Sequence, residues 1–411
     1  MNPFLPGSLE SDLSGRGHGS RATPGARAED EGYWRAVREA YAVPEDFIQL
    51  EYGWYHPGAK RVLAAEMEAM RQGQLRGSHY KRGEMNADRE AARIDLARVA
   101  GADPEEVILT RNATEAMAIV LLGIPLSSGD GIVHSDQDYP SVVEAIEQRA
   151  RTDGVVMQTA RLPLHPQSDD EVVRCFEAAV TPKTRAIVIT HVINHTGQVL
   201  PVRAVAEMAR RRHLQVIVDA AHSFAQLAFT VQDLDCDYLG SSLHKWLGAP
   251  LGTGLLYVRR DRIASLVPLF PDTRRPATDI RKLEHFGNRP DSAHLGLREA
   301  IRWHESIGTA VKQARLSFLQ RRWTTRLRAL PRIELLTPAD PARHGAIGAF
   351  AVRGMEPETV VRRLLDEHRI FVNAVNHPVI RAVRVTPGLP TSVAEIDAFV
   401  EAVRSLAGSE T

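Results

Sequence analysis

The sequence predicts an α/β protein: a mostly parallel sheet covered by helices on both faces, followed by a smaller C-terminal α/β domain. Three observations predict it. From residue 87 to residue 219, short apolar runs alternate with amphipathic stretches, the pattern of parallel strands joined by crossover helices. A long amphipathic stretch over 294–330 separates this block from the rest of the chain. The 411 residues, 44% of them hydrophobic, suit two domains with sizeable cores.

Taken in order, residues 1–32 are rich in Gly, Ser, Arg and Pro and read as a flexible tail. Residues 33–86 form an N-terminal arm that includes a polar, glycine-bounded active-site loop, Gly77-Ser78-His79-Tyr80-Lys81-Arg82-Gly83. The large domain, 87–290, opens with a helix over 87–100 and a strand over 107–110. Helices over 114–122, 141–151, 170–179 and 202–212 then alternate with strands over 131–134, 155–159, 186–190 and 215–219. Residues 291–411 hold the connector and the small domain. Its strands are expected over 333–336, 346–352, 370–374 and 382–385, and its helices over 357–367 and 392–406. Pro357 stands where the first helical turn tolerates proline.

Composition removes several function classes. Lys plus Arg equals Asp plus Glu, 51 against 51, which gives no electrostatic case for nucleic acid or an anionic membrane as partner. Arg210-Arg211-Arg212 and Arg321-Arg322 read as exposed helix ends and faces. Two cysteines make no disulfide framework. No run reaches the roughly 18 apolar residues of a membrane span. The N-terminus lacks a basic region followed by an apolar core, so no export signal is expected. A soluble, cytoplasmic protein is the expectation. A nucleotide-binding doubly wound protein is disfavoured, since neither G-x-G-x-x-G nor G-x-x-x-x-G-K-[ST] opens a helix.

The chemistry centres on Lys245 in Ser241-Ser242-Leu243-His244-Lys245-Trp246. Upstream, Asp219-Ala220-Ala221-His222 ends the strand 215–219, and Asn194 follows the strand 186–190. A lysine able to form a Schiff base, an aspartate able to pair with a pyridinium nitrogen and an asparagine able to bond a phenolic oxygen are what a pyridoxal 5'-phosphate site needs. Asp219 sits at the carboxyl end of a strand, where open α/β sheets bind ligands. Alone, an aspartate there is more often a cap, and a lone Lys-Trp is more often surface. The ordered set within one α/β pattern carries the assignment.

These residues, with Thr110 to Ala116, His191 to Pro201 and Ser242 to Gly254, resemble the class V aminotransferase family of fold-type I pyridoxal phosphate enzymes. The similarity is to its isopenicillin N epimerase-like and cysteine desulfurase-like branch, and it runs over about residues 47–402. The resemblance implies a seven-stranded sheet with an antiparallel strand at 254–258, and a homodimer with shared active sites. It implies that Ala113, Thr114, Ser242 and His244 take the cofactor phosphate, that Asn194 and His222 lie near the phenolic oxygen, and that Tyr139 stacks on the ring. A helix N-terminus at Thr114 would add favourable partial charge. Arg384 matches an arginine that grips the substrate α-carboxylate, where a planar guanidinium bonds two oxygens at once. Asn288 replaces a threonine that reaches the phosphate of the neighbouring subunit. Where relatives read Leu-Asn-x-Gly, this chain has Leu50-Glu51-Tyr52-Gly53-Trp54-Tyr55-His56. Tyr52, Trp54 and Tyr55 are therefore expected either at the substrate mouth or as an anchor for the arm. No metal is expected.

The resemblance leaves the reaction open. Cys175 falls in a predicted helix and Cys236 before the lysine. Neither suits a persulfide-forming nucleophile on a mobile C-terminal loop, and buried packing is their default reading. The expected activity is Cα chemistry on an amino-acid moiety of a small molecule, in secondary metabolism: a C–S β-lyase or epimerase, with Lys245 as the proton-transferring base. Decarboxylation, transamination of a small-molecule amine and a non-catalytic ligand-binding relative are the alternatives.

Overall fold

The computed structural model describes residues 23–408. The first 22 residues of the expected tail lie outside that range. From Thr23 onward the chain is helical and packed, which corrects the expectation for 23–32. Helices Pro24–Ala28 and Glu31–Glu39 each begin at a side-chain cap. Thr23 Oγ1 accepts the Ala26 N–H, and Asp30 Oδ1 accepts the Tyr33 N–H. Trp34 is buried, and the buried Arg315 donates to the Ala28 carbonyl. Neither contact is visible in local composition.

The arm continues through β1 (Ile48–Gln49) into a long helix, Lys60–Arg82. The loop expected over Gly77–Gly83 is helical instead. It is kinked at Gly77 (φ 52°, ψ −131°) and ends at Gly83 (φ −103°, ψ −98°), and an Arg76–Glu84 ion pair spans the join to helix Glu84–Ala100.

The large sheet has seven strands: β2 (Val107–Thr110), β3 (Gly131–Ser135), β4 (Val156–Ala160), β5 (Thr184–Thr190), β6 (Gln215–Asp219), β7 (Tyr238–Ser242) and β8 (Gly254–Val258). Their spatial order is β2-β8-β7-β6-β5-β3-β4. β8 runs antiparallel to β2 and β7, and every other neighbouring pair is parallel. Apolar residues of β2, β3, β5 and β6 point alternately into two helix layers. Leu109, Val133, Ile187 and Val216 pack in one cluster, and Ile108, Ile132, Val188 and Ile217 in the other. β7 carried no strand signal because Gly240-Ser241-Ser242 lacks β-branched residues. A Cβ on Gly240 would lie 3.0 Å from Met117 Sδ and 3.1 Å from Ala116 Cβ, so tight packing selects glycine there.

The connector is two helices, Ala293–Ile307 and Thr309–Arg328, broken at Gly308 (φ 87°). The small domain adds β9 (Ile333–Leu335), β10 (Gly348–Val352), β11 (Ile370–Phe371), β12 (Asn373–His377) and β13 (Ile380–Val385), with helices Pro357–His368 and Val393–Gly408. The single strand expected over 370–374 is two. β12 joins the antiparallel sheet β12-β13-β10-β9, whereas β11 pairs in parallel with β1 of the N-terminal arm. Leu50 of that arm is buried in the small-domain core beside Trp323, Phe350 and Phe399. Trp323 lies edge-on to both phenylalanines, at 6.1 and 5.7 Å between ring centroids. Trp323→Ala should destabilise the protein by about 3–5 kcal/mol, read as a lower denaturation midpoint in urea with an unchanged slope.

Candidate active site

The carboxyl ends of β3, β5, β6 and β7 converge on one cleft. Each strand there leads into a segment carrying one site residue: Tyr139, Asn194, His222 and Lys245. The edge of the cleft opposite β5 is the N-terminus of helix Ala113–Gly123, and Trp54 of the arm lies across the opening.

Lys245 is buried. Its Nζ lies 3.0 Å from His222 Nε2 and 5.9 Å from the centre of the Tyr139 ring. Trp246 Nε1 donates to His222 Nδ1 at 3.3 Å. Burial, with the Lys245 charge, holds His222 well below the usual imidazole range, so the ring is neutral. A neutral imidazole that accepts at Nδ1 carries its proton on Nε2. That N–H faces Lys245 Nζ, an arrangement that favours the free amine over the ammonium. The lysine is suited to this. Burial lowers it from 10.5 to about 8, against the opposing pull of Asp219. Lys312, itself buried, donates to the Trp246 carbonyl and fixes the turn from beneath.

Asp219 is buried, and its Oδ1 accepts the Ala221 N–H at 2.9 Å. Burial raises its carboxyl above the ordinary value, while that N–H and the Lys245 charge oppose the rise. At the helix end, Asn112 caps Glu115 N–H, the Ala113 N–H donates to Ser242 Oγ at 2.9 Å, and Thr114 Oγ1 lies 3.2 Å from Ser141 Oγ. Buried Asn194 Oδ1 and His244 Nδ1 have no partner. The Asn194 turn closes at Gly197 (φ 77°), where a Cβ would fall 2.1 Å from the Ile347 carbonyl oxygen. Tyr139 starts helix Pro140–Asp153 and is held in place by Asp138, which accepts from Ser135 N–H at 2.7 Å and Thr190 Oγ1 at 2.6 Å.

The cleft thus brings together Ala113, Thr114, Tyr139, Asn194, Asp219, His222, Ser242, His244, Lys245 and Trp54. Tyr55 is partly exposed, its ring 6.5 Å from that of His244. Tyr52 is not brought to the cleft. It is buried against His56, ring centroids 4.9 Å apart, and anchors the arm. Asn288 is exposed and does not line the cleft of its own chain. Arg384 is buried beside the cleft, but its guanidinium is already engaged. Nη2 donates to Glu51 Oε1 at 2.7 Å, Nε to Glu51 Oε2 at 3.3 Å, and Nη1 to the Asn194 carbonyl at 3.1 Å. Sequence reasoning missed Glu51 as the partner of Arg384, and Trp246 as the residue that sets the His222 tautomer. For Glu51 a signal existed: an acid stands where the resembling family has asparagine.

Cys175 lies on helix Asp169–Ala179 and Cys236 is buried just before β7. Burial raises both thiols, and neither lines the cleft.

The model of the family described as Aminotransferase class-V matches residues 58–395. The chain is 33% identical over 334 residues to isopenicillin N epimerase of Amycolatopsis lactamdurans, covering 77% of this chain and 84% of that protein. It is 27% identical over 325 residues to a probable cysteine desulfurase of Synechocystis sp., covering 74% of each. Among solved structures, the complex between the cystine C–S lyase C-DES and its reaction product cysteine persulfide superposes with a TM-score of 0.81 at 23% identity, covering 89% of this chain and 99% of that one. That likeness bears on the fold.

Proposed function

The chain belongs to the class-V aminotransferase family, and from that premise we propose that it is a pyridoxal 5'-phosphate enzyme, an epimerase or C–S lyase moving a proton at the Cα of an amino-acid moiety of a small molecule. The observation that carries this reading is the buried Lys245 amine, 3.0 Å from His222 Nε2 in a cleft that also contains Asp219.

The residues present fit the cofactor. His244 keeps a buried Nδ1 without a partner, and such an atom costs free energy until one is supplied. The Asn194 amide would meet the phenolic oxygen. His244, the Ala113 N–H, Thr114 Oγ1 and Ser242 Oγ would take the phosphate at a helix N-terminus. Asp219 would face the ring nitrogen, and Tyr139 would offer its aromatic face. When bound, pyridoxal phosphate supplies an electron sink for the pair left at Cα. Lys245, freed from the cofactor, is the base that takes the Cα proton and returns it. His222 keeps that amine oriented, and Trp54 narrows the route for water. No thiol lines the cleft, which weighs against a persulfide-forming desulfurase.

A homodimer in which Asn288 reaches the neighbouring phosphate, a cytoplasmic location and a role in secondary metabolism belong to the same proposal. No helix of the described residues is long and apolar enough to cross a membrane.

The test is reconstitution. Cofactor-free protein mixed with pyridoxal phosphate should gain a visible absorption band. Borohydride should then fix the cofactor on the peptide carrying Lys245. Because burial lowers that amine to about 8, the neutral, attacking form gains population as pH rises past 8. The rate of attachment should climb about tenfold between roughly pH 7 and pH 9, rather than continuing to rise toward the ordinary lysine value. Label spread over surface lysines, or no band, refutes the assignment. With a reconstituted enzyme, deuterium uptake without mass loss marks epimerisation, and a keto acid with a released thiol marks β-elimination.

A further inference from the structure

The guanidinium expected to take a substrate carboxylate is filled by a carboxylate of the chain itself. Both side chains are buried, 8% exposed for Arg384 and 6% for Glu51. The three nitrogens of Arg384 all donate: two to Glu51 and one to the Asn194 carbonyl. Glu51 occupies the Nε–Nη2 fork and neutralises the charge that would draw a second carboxylate, leaving one N–H on each terminal nitrogen.

Glu51 is also a fixture. Its Oε1 accepts the Trp54 N–H at 3.0 Å. Its backbone is pinned on both sides to the segment that follows β13, by Thr386 N–H to the Leu50 carbonyl at 2.8 Å and Tyr52 N–H to the Thr386 carbonyl at 3.0 Å. Arg384 stands two residues before Thr386 on the same segment, so the two partners share one support. The pair borders the cleft. Asn194 and Trp54, which bond to it, line the cleft, and the charges of Arg384 and Glu51 both act on the Lys245 amine.

We propose that Glu51 masks Arg384, so that this site takes amines whose Cα carries no free carboxylate: an amino-acid unit blocked as an amide, or a simple amine. A free carboxylate entering here meets a like charge in a desolvated setting, and like charges juxtaposed in such places are strongly rejected. A carboxamide brings no charge, and its NH2 can donate to Glu51 Oε2. The substrate class rests on the pyridoxal phosphate reading; the mask itself does not.

Two measurements test it. In reconstituted enzyme, the visible band is titrated with L-methionine and with L-methioninamide. Wild type should bind the amide at least about tenfold more tightly than the acid, and Glu51→Gln should reverse that order. A wild type that prefers the acid overturns the proposal, as does a Glu51→Gln protein that carries cofactor on Lys245 and keeps the wild-type ratio. The wild-type comparison needs no variant, so a Glu51→Gln chain that fails to fold leaves it standing. In cofactor-free protein, sodium acetate is titrated by calorimetry. Acetate should bind saturably to Glu51→Ala, not to wild type, and not to the Glu51→Ala/Arg384→Ala double variant. Equal acetate binding by wild type and Glu51→Ala, or none by Glu51→Ala, refutes the mask. The acetate result reads out even when no cofactor attaches, so failure of the enzyme reading and failure of the mask are told apart.

Discussion

Lys245→Ala should lose turnover by at least ~10⁴-fold while the protein keeps its fold. The size of the loss follows from two roles in one amine: it tethers the cofactor, and it carries the Cα proton. Neither His222 nor Lys312 substitutes for it. The His222 Nε2 proton is directed at Lys245 itself, and burial holds that ring far below the range in which it would serve as an acid. Lys312 is spent on the Trp246 carbonyl. Stability should change little, because alanine also removes the desolvation cost that lowers this amine. The measurement is turnover against melting temperature in the same preparation. Retained turnover would remove Lys245 from the chemistry. A melting temperature that collapsed with activity would make its role structural.

Asp219→Ala should weaken cofactor retention by roughly 150- to 5,000-fold, corresponding to ~3–5 kcal/mol for breaking a buried ion pair. The direction is set by burial. Burial pushes the Asp219 carboxyl up, and the Ala221 N–H and the Lys245 charge only partly oppose the rise. A protonated ring nitrogen opposite would supply a facing cation and draw the carboxylate back to its charged form. Without the acid, nothing in the cleft stabilises a protonated ring, while Lys245 can still tether it. The variant should therefore still show borohydride-trapped cofactor on Lys245, yet lose the untrapped cofactor on dialysis. Its cofactor-free form should melt within a few degrees of wild type, since alanine removes a costly buried charge. Wild-type retention after dialysis would sever Asp219 from the ring nitrogen.

Much of this architecture is legible from residue order. Strands such as Val107–Thr110 and Gln215–Asp219 are short apolar runs with no competing period, and their bounds agree with the expectation. The cleft residues were legible because they lie at strand ends, where local pattern and chemistry coincide: Asp219 closes β6, and Lys245 follows β7 by three residues. What escaped was set by distant partners. β11 forms because β1, more than 300 positions earlier, lies beside it. Helix Pro24–Ala28 holds because Arg315 reaches its last carbonyl. The Glu51–Arg384 pair spans a separation of 333 residues, and no window along the chain contains both. Tyr52 takes the anchor role rather than the place at the mouth, for the reverse reason. Its neighbours Trp54 and Tyr55 do face outward, and only the arm's path into the small-domain core turns Tyr52 away.

The pairing of β1 with β11 has a consequence for synthesis. The C-terminal lobe lacks a strand partner and the Leu50 side chain until an early segment returns to it. On the ribosome that segment emerges first and must wait, unsatisfied, for almost the whole polypeptide to follow. Closing so long a loop is slow and leaves apolar surface open meanwhile. Capture of the arm also brings Glu51 to Arg384, so the proposed mask forms only when residues more than 300 positions apart meet.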